Sequence, residues 1–517
     1  MTERQPKPKT WADRIDSAIG LVSPKTEFRR RAWRFKQKFA LRYRGASKDR
    51  FRGGWIPGSG SADEDLLPDL PTLRDRCREL VRDDPYAAGI IQTMVVNVIG
   101  TGIRSQSRVD QTALGWDDER AEEYQGLAEK AWNEWTPWAD ALGRLDWYEL
   151  QAQVVRQWCE NGEALVLRRM IADRERPFRL AWQVIEADRL ETPMNQMSNR
   201  LIRSGVELND EGMPVAYHIR KGHPGDMAVQ PLSKDAREYV RIPAWDRFGN
   251  PQVIHLFDQL RPGQTRGLPL LSPMLAAFDD LSSYIEAELV SARVAACFSL
   301  FIEEEDGGAA ALAQRTSTNA AGQNIEELEP GMILRGGGKP TQINPLRPGS
   351  TFDPFVDRIQ RLISMGANMP LEVVSKDYSK PNFSATKAAL LDAQRQWLVK
   401  QVKVARTLCQ PAWESVNEGA FLKGRLGIDD YYDHRADYAR CRHAPPGWRW
   451  VDFWKDIKAA EAALEAGLGT EADFMAQQGL DWQETQDQRA REIARRQRVM
   501  KDITPSEKEA ADAQPAK

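Results

Sequence analysis

The sequence predicts an α+β protein, predominantly helical, in which a mixed block of helices and strands precedes very long helices. Three observations lead there. Between Glu163 and Phe257 short β-type runs follow one another: EALVLRR, FRLAWQVIE, LIRSGVEL, MPVAYHIR, EYVRIP and PQVIHLFD. NDEGMP, Asn209 to Pro214, is a hairpin-turn signal between two of them. From Ser272, and again from Ala385, apolar residues recur three or four apart for roughly twenty residues, the period of a long helix.

Composition narrows the class. The 517 residues amount to roughly two to four domains, or one elongated subunit of several modules. With 41% hydrophobic and 28% charged residues the chain is a folded protein rather than a disordered one. It holds no apolar run of about 18 residues and no N-terminal apolar segment, so neither a transmembrane helix nor a secretory signal is expected. Cys77, Cys159, Cys297, Cys409 and Cys441 form no CxxC or Cys/His ligand set, which predicts reduced thiols in a cytoplasmic product. A net charge of −3 disfavours tight wrapping of DNA but leaves room for a local basic surface. Seventeen tryptophans suit a large core or an oligomer interface.

The elements follow in order. Residues 1–69 form a basic arm and linker. In Phe28–Gly45 arginines and lysines interleave with Trp33, Phe35, Phe39 and Tyr43, fitting either an arm that meets nucleic acid or a solvated basic helix. GGWIPGSGSADED then reads as linker. Asp84 caps a helix with Pro85 at its first position and Gly100 as its stop. Helices follow at Glu119–Trp135 and Trp147–Glu160, the latter closed by Gly162. The helix from Ser272 carries the stripe Leu275, Phe278, Leu281, Ile285 and Leu289. Residues 303–350 are glycine-rich with short β-like runs. Phe352–Met365 returns to helix through Phe355, Ile359, Leu362 and Ile363. A polar loop containing Pro381 follows. After Ser384 as N-cap, a helix runs through Leu422 on the stripe Ala388, Leu391, Leu398, Val402, Ala405 and Cys409. Three helices close the chain, around Asp452–Ala466, Glu471–Gln478 and Asp481–Arg496, with Gly467 and Gly479 between them.

Signals of catalysis are poor. RGGGKP, Arg335 to Pro340, lacks the GxxxxGK[ST] spacing and places Pro340 where magnesium would need a hydroxyl, so it reads as a turn. GSGSADEDL has no preceding strand and is no dinucleotide fingerprint. Cys441 and His443 cannot complete a zinc site. His255, inside VIHLF, reads as a core histidine. DERAEE and EEED read as solvated surface, and no GxSxG elbow occurs. No catalytic residue, cofactor or metal set is read.

Seven stretches taken in order resemble the lambda-type portal proteins of tailed bacteriophages. They are RDRCRELVRDDPYAAGIIQTMVVNVIGTGIR, WCENGEALVL, QVIEADRLETP, VELNDEGMPVAYHIR, RPGQTRGLPLLSPML, MPLEVVSKDYSKPNFSATKAALLDAQRQW and PPGWRWVDFWKDIKAAEAALEAGLGTEADF. The resemblance runs over about residues 71–490. It implies the phage portal fold of wing, stem helices, clip and crown, assembling as a cyclic ring of about twelve subunits, without catalysis. Its layers would be a mixed α/β wing at 70–265, a stem helix at 266–299, a clip at 300–350, a second stem helix at 351–374, a tunnel loop at 375–385, a wing return helix at 386–445, a crown at 446–500 and a disordered tail at 501–517.

The same resemblance implies a virion location at the portal vertex after synthesis in the bacterial host cytoplasm. Double-stranded DNA would be contacted without sequence specificity. The other implied partners are terminase large subunit, major capsid protein, scaffold and head–tail joining proteins, with no membrane. Lys376, Lys380 and Asn382 would touch DNA phosphates from the tunnel loop; the same loop also fits a surface position away from DNA. Asp279, Asp280, Glu286 and Glu288 would keep the channel wall repulsive, or face solvent on the outside. Two other classes stay open on residue types alone: a capsid scaffolding or interaction protein that does not contact DNA, and a nucleic-acid-processing enzyme.

Overall fold

The computed structural model describes residues 58–173, 175–226, 238–304, 316–318, 324–326, 332–335, 337–341, 352–379, 383–448, 453–478, 480 and 482–503, with a few single positions between 19 and 30. The chain divides into two compact units, Met1–Ser61 and Ala62–Lys517. The basic run Phe28–Gly45 lies outside the described residues save for Arg30, as does 504–517.

The second unit begins with a short helix, α1 (Ala62–Leu66), inside the stretch read as linker. Asp63 is buried, accepting from Thr265 N at 2.8 Å and Thr265 Oγ1 at 3.1 Å. A buried carboxylate with these two donors and a third, Arg203 Nη1 at 3.0 Å, fixes this stretch to the body, so it is no linker. Helices α2 (Leu70–Asp83) and α3 (Pro85–Val98) follow. The Asp84 side chain accepts from Tyr86 N and Ala87 N at 2.8 Å each, and Pro85 opens α3. Gly100, at φ +50°, follows its last turn. Ile90, Ile91, Met94, Val95 and Val98 are buried, so α3 is central.

Strand β1 (Arg104–Ser107), α4 (Gln111–Leu114), α5 (Asp118–Trp135) and α6 (Trp147–Asn161) come next. A capping box of Asp146 and Glu149 starts α6. Trp132, Trp135 and Trp147, with Trp413 from a later helix, pack with ring centroids 4.9–5.6 Å apart. Each such pair contributes about 0.5–1.5 kcal/mol beyond its area. With Trp182 these are among the largest fully buried side chains, so much of the tryptophan content serves the core of a single subunit and needs no oligomer to explain it.

Strands β2 (Glu163–Met170), β3 (Leu180–Ile185) and β8 (Val253–Phe257) form an antiparallel sheet in the order β3-β2-β8. Strands β4 (Ile202–Arg203), β5 (Val206–Leu208), β6 (Pro214–Arg220) and β7 (Tyr239–Pro243) form a second. LIRSGVEL, read as one run, is therefore a tight hairpin. Ser204 and Gly205 turn it at φ +44° and +89°, and a Cβ on Gly205 would stand 2.6 Å from Glu191 N. Strand β2 shows no polar alternation because both its faces are covered. Ala164 and Val166 join the main helical core. Leu165 and Leu167 join a second core with Val206, Tyr217 and Ile219 of the four-stranded sheet.

Helix α7 (Leu275–Cys297) follows a 3-10 turn at Ser272–Met274. The backbone of the glycine-rich stretch holds β9 (Phe298–Glu304), paired parallel with β12 (Met332–Arg335) and antiparallel with β13 (Gly337–Thr341), beside a hairpin of β10 (Thr316–Thr318) and β11 (Asn324–Glu326). Of RGGGKP, read as a turn, Arg335 instead ends β12 and Gly337–Pro340 belong to β13, on the opposite edge of β9. Then come α8 (Phe352–Gly366), α9 (Leu371–Ser375) and α10 (Phe383–Val404). Helix α10 starts at Phe383, with Ser384 already inside it.

It is not one α-helix through Leu422. A π-turn at Ala405–Cys409 separates α10 from α11 (Gln410–Leu422). Pro411 accounts for it: proline lacks the amide for the next bond and clashes with the carbonyl four residues earlier, and the wider turn relieves both. Helix α12 (Arg435–Tyr438) and β14 (Cys441–Ala444), paired with β1, complete this body. Helices α13 (Phe453–Glu465), α14 (Glu471–Gln477) and α15 (Trp482–Ile503) follow, so Lys501–Ile503, read as tail, are still helical.

Two glycines let α6 meet the segment entering α7. A Cβ on Gly267 would fall 2.0 Å from Gly162 O, and one on Gly162, at φ +85°, would fall 2.4 Å from Leu268 C. Both obstacles are backbone. Gly267→Ala is expected to destabilise the subunit by about 1–3 kcal/mol, as overpacking does; a thermal unfolding midpoint equal to that of the parent would refute this.

Candidate functional site

Where the strands end and α7 begins, one carboxylate gathers the surrounding elements. Glu163 opens β2 and is fully buried. It accepts from Arg74 Nη2 at 2.6 Å, Arg266 Nε at 2.8 Å and Gly267 N at 2.9 Å, and its Oε2 lies 3.0 Å from His255 Nε2. The strand register explains the last contact: Glu163 faces Phe257 and Leu165 faces His255, so Glu163 and His255 are diagonal neighbours on one face. Arg266 also donates to the carbonyls of Ala187, Leu190 and Ser204 at 2.9, 2.9 and 2.6 Å. Arg74 Nε donates to Asn161 O at 3.0 Å.

Burial by itself would raise the Glu163 carboxyl. The guanidiniums of Arg266 and Arg74, with the His255 contact, overcome it and hold the group well below the usual range. Burial, with Arg266 nearby, brings Arg74 down to about 10, still protonated at neutral pH. His255 is the satisfied core histidine its apolar setting suggests. The cluster is an anchor for the start of α7.

Beyond the anchor, α7 packs on α8. Phe278 and Leu281 are buried with Ile359 and Ile363, and the Tyr284 ring lies 5.7 Å from Phe352 and 4.4 Å from Phe355. Asp279, Asp280 and Glu286 are exposed. Asp279 and Glu286, seven apart, share a face; Glu288, half-buried and nine residues from Asp279, points the opposite way. The structure therefore does not bring the four carboxylates onto one surface.

The loop between α9 and α10 is held at its start. Val373 and Val374 are buried, Ser375 Oγ donates to Leu371 O at 2.8 Å, and Asp377 Oδ1 accepts from Ser379 N at 2.9 Å. Lys376 is exposed in the left-handed region at φ +55°. Lys380 and Asn382 lie outside the described residues.

The stripe read on α10 faces outward. Leu391, Leu398 and Val402 are 48%, 49% and 60% exposed, while Ala393, Trp397, Gln401 and Val404 are buried instead. The helix carries two apolar faces, and the one with the larger Trp397 packs inward. The π-turn then rotates the next turns of helix, which is how Cys409, read with the outer stripe, comes to be buried. Leu289 and Val290 on α7 and Leu362 and Met365 on α8 are exposed as well.

Other clusters close on themselves. His443 Nδ1 lies 3.0 Å from Ser105 Oγ and Nε2 lies 2.9 Å from Gln410 Oε1; burial lowers it to about 4, so it is neutral and engaged on both sides. Among the described residues Glu186, Asp188 and His223 come close enough to hold a cation. His223 Nδ1, however, accepts from Gly225 N at 3.0 Å, so the proton sits on Nε2, 2.8 Å from Glu186 Oε2, and Arg78 pairs with Asp188. Burial pushes the Cys77 and Cys159 thiols up to about 11, which makes them unreactive. No described helix is long and apolar enough to cross a membrane.

Sequence reading missed the anchor. Its traces are a glutamate heading an apolar strand right after Gly162, and an Arg-Gly pair just before α7. Neither says that the two meet across about a hundred residues of chain.

Exposed apolar side chains on successive helices suit a subunit that packs against further copies. Residues 48–401 match the family described as phage portal protein, lambda family. The portal protein of Escherichia phage N15 is 26% identical over 475 residues, covering 86% of this chain and 88% of that protein. Portal protein B of Escherichia phage lambda is 25% identical over 474 residues, 86% and 87% covered. A probable portal protein of Halomonas phage phiHAP-1 is 27% identical over 464 residues, 88% and 86% covered. Among solved structures, a chain from the virion of a native gene transfer agent particle aligns at a TM-score of 0.41 and 13% identity, over 80% of this chain and 93% of that one. A chain from the neck of the native particle computed with C12 symmetry aligns at 0.40 and 13%, with the same coverage. The chain belongs to the lambda family of phage portal proteins. It has their α+β fold and their structural role as a ring-forming component of the phage particle, the channel for DNA packaging.

Glu163→Gln leaves two buried guanidiniums without their counter-ion and is expected to lower stability by about 3–5 kcal/mol. Because the folded carboxyl sits below its unfolded value of 4.5, its contribution is complete above that pH and is lost as pH falls through the folded value. Denaturant unfolding should therefore show a constant gap between parent and variant from pH 8 to about 5 that narrows only in stronger acid. A gap that closes at neutral pH would contradict the assignment.

Proposed function

We propose that about twelve copies close into a ring through the outward faces of α7, α8 and α10, with double-stranded DNA passing along the axis. Residues 70–265 form the wing, 266–299 and 351–374 the stem, 300–350 the clip, 375–385 the tunnel loop, 386–445 the wing return and 446–500 the crown. The observation that carries this reading is the apolar surface that one subunit leaves uncovered, Leu391, Leu398 and Val402 above all. Patches of that kind mark protein contacts, and a closed cyclic assembly covers each with the next copy.

In this arrangement Lys376 touches phosphates without reading bases, and Lys380 and Asn382 take the same role. Asp279 and Glu286 repel the backbone, so that DNA slides rather than sticks; many more cations would bind it tightly and in a salt-dependent way. Terminase large subunit and the head–tail joining proteins dock on the clip, and major capsid protein and scaffold surround the wing. The chain supplies the conduit and leaves the motor's chemistry to terminase.

Light scattering and end-on electron microscopy test the ring. The 58.6 kDa subunit should give a particle of roughly 700 kDa with a central hole, and Leu398→Asp/Val402→Asp should leave folded monomers. A parent chain that stays monomeric, with the variant indistinguishable from it, would remove the reading. In packaging assays Lys376→Gln and Asp279→Lys/Glu286→Lys are each expected to slow DNA entry; unchanged rates would clear those residues of a channel role.

A further inference from the structure

Helix α15 is anchored at one end and solvent-exposed along the rest. Trp482 Nε1 and Gln486 Nε2 donate to Glu471 Oε2 at 3.2 and 3.0 Å, and Arg108 Nη1 donates to Gln483 Oε1 at 3.2 Å. From Gln488 through Arg498 every residue is exposed. Five arginines, Arg489, Arg491, Arg495, Arg496 and Arg498, crowd this stretch against one carboxylate, Glu492. Among the described residues none of the five has an ion pair.

Their spacing is ordered. Arg491, Arg495 and Arg498 stand at i, i+4 and i+7, which places three guanidiniums on one face along about 10 Å of helix. Trp482, Gln486 and Ile493 fall on the opposite side. The helix thus docks only at its first turn, through residues 482, 483 and 486, and beyond Asp487, which shares the arginine face, it presents a cationic stripe. A helix exposed on all sides gains little from packing, and a partner that neutralises the stripe supplies what is missing.

We infer that the Arg491, Arg495 and Arg498 face of α15 is a second, non-sequence-specific binding surface for duplex DNA, separate from the tunnel loop. Three features favour DNA over an acidic protein. The cations are arginines, whose planar fork matches phosphate oxygens. The stripe itself contains no apolar residue, whereas the centre of a protein interface is apolar and poor in charge. A phosphate backbone offers one charge per about 1.7 Å of axis, so a rigid stripe meets several charges in any register. The inference rests on the portal reading for the identity of the polyanion. In that reading α15 overlaps the crown, which faces packaged DNA inside the capsid.

The test is the salt dependence of binding to a random-sequence duplex, measured by fluorescence anisotropy on the full-length chain. Arg491→Gln/Arg495→Gln/Arg498→Gln should reduce the slope of log K against log salt by about 2.7 for each engaged subunit, 0.9 per lost phosphate contact. Helical ellipticity should not change, because all three side chains are exposed. The corresponding triple lysine variant should keep the slope. A glutamine variant with the parental slope would overturn the inference, and so would polyglutamate competing as well as DNA at equal charge, which would assign the stripe to an acidic protein. Lys376→Gln, measured in parallel, keeps the two readings apart. It can leave this slope untouched while packaging fails, and a stripe without DNA affinity would leave the channel reading standing.

Discussion

The fully buried carboxylate of Glu163 is the constraint on which the rest of the body depends. It ties α2 through Arg74, the sheet through its own strand and His255, and the approach to α7 through Arg266 and the Gly267 amide. Arg266 in turn satisfies three carbonyls, those of Ala187 and Leu190 and that of Ser204 in the turn between β4 and β5. A buried charge is costly unless every donor and acceptor around it is matched, so these elements have little freedom to shift independently. The close approach of Gly162 and Gly267 reinforces the same junction sterically.

That rigidity sets the direction in which α7 leaves the body, and α8 follows it through the Tyr284, Phe352 and Phe355 rings. Helix α10 returns alongside α3, where Gln401 Nε2 donates to Asn97 O at 3.1 Å. Between this return and α11 the π-turn adjusts the helix to Pro411, which lets Trp397 and Trp413 both lie buried. Leu289 and Val290 of α7, Leu362 and Met365 of α8, and Leu391, Leu398 and Val402 of α10 are left exposed. A subunit built this way leaves apolar side chains for a neighbour to cover.

Much of the local structure was legible because it follows from residue chemistry over short distances. Asp84-Pro85 at the start of α3, the hairpin after Asn209 and Gly467 between α13 and α14 are each specified by a few neighbours in sequence. The readings that failed are those decided at longer range. The period of α10 identified a helix but not its inward face, since two apolar faces compete and the neighbours choose between them. Pro411 interrupts that helix, and an apolar period read without regard to proline runs straight through it. Asp63 looked like linker because its partner, Thr265, is far away in the chain.

By itself the sequence determined the α+β class, the order of the elements and, through stretches spread along most of its length, the portal family. These properties are carried by local propensity and by short patterns that survive divergence. Only the tertiary structure decided that Glu163, Arg74, His255 and Arg266 form one anchor, that Trp132, Trp135, Trp147, Trp182 and Trp413 fill the subunit's own core, and that Leu391, Leu398 and Val402 face outward. Burial and ion pairing depend on which distant segments pack together, and no local pattern encodes that choice.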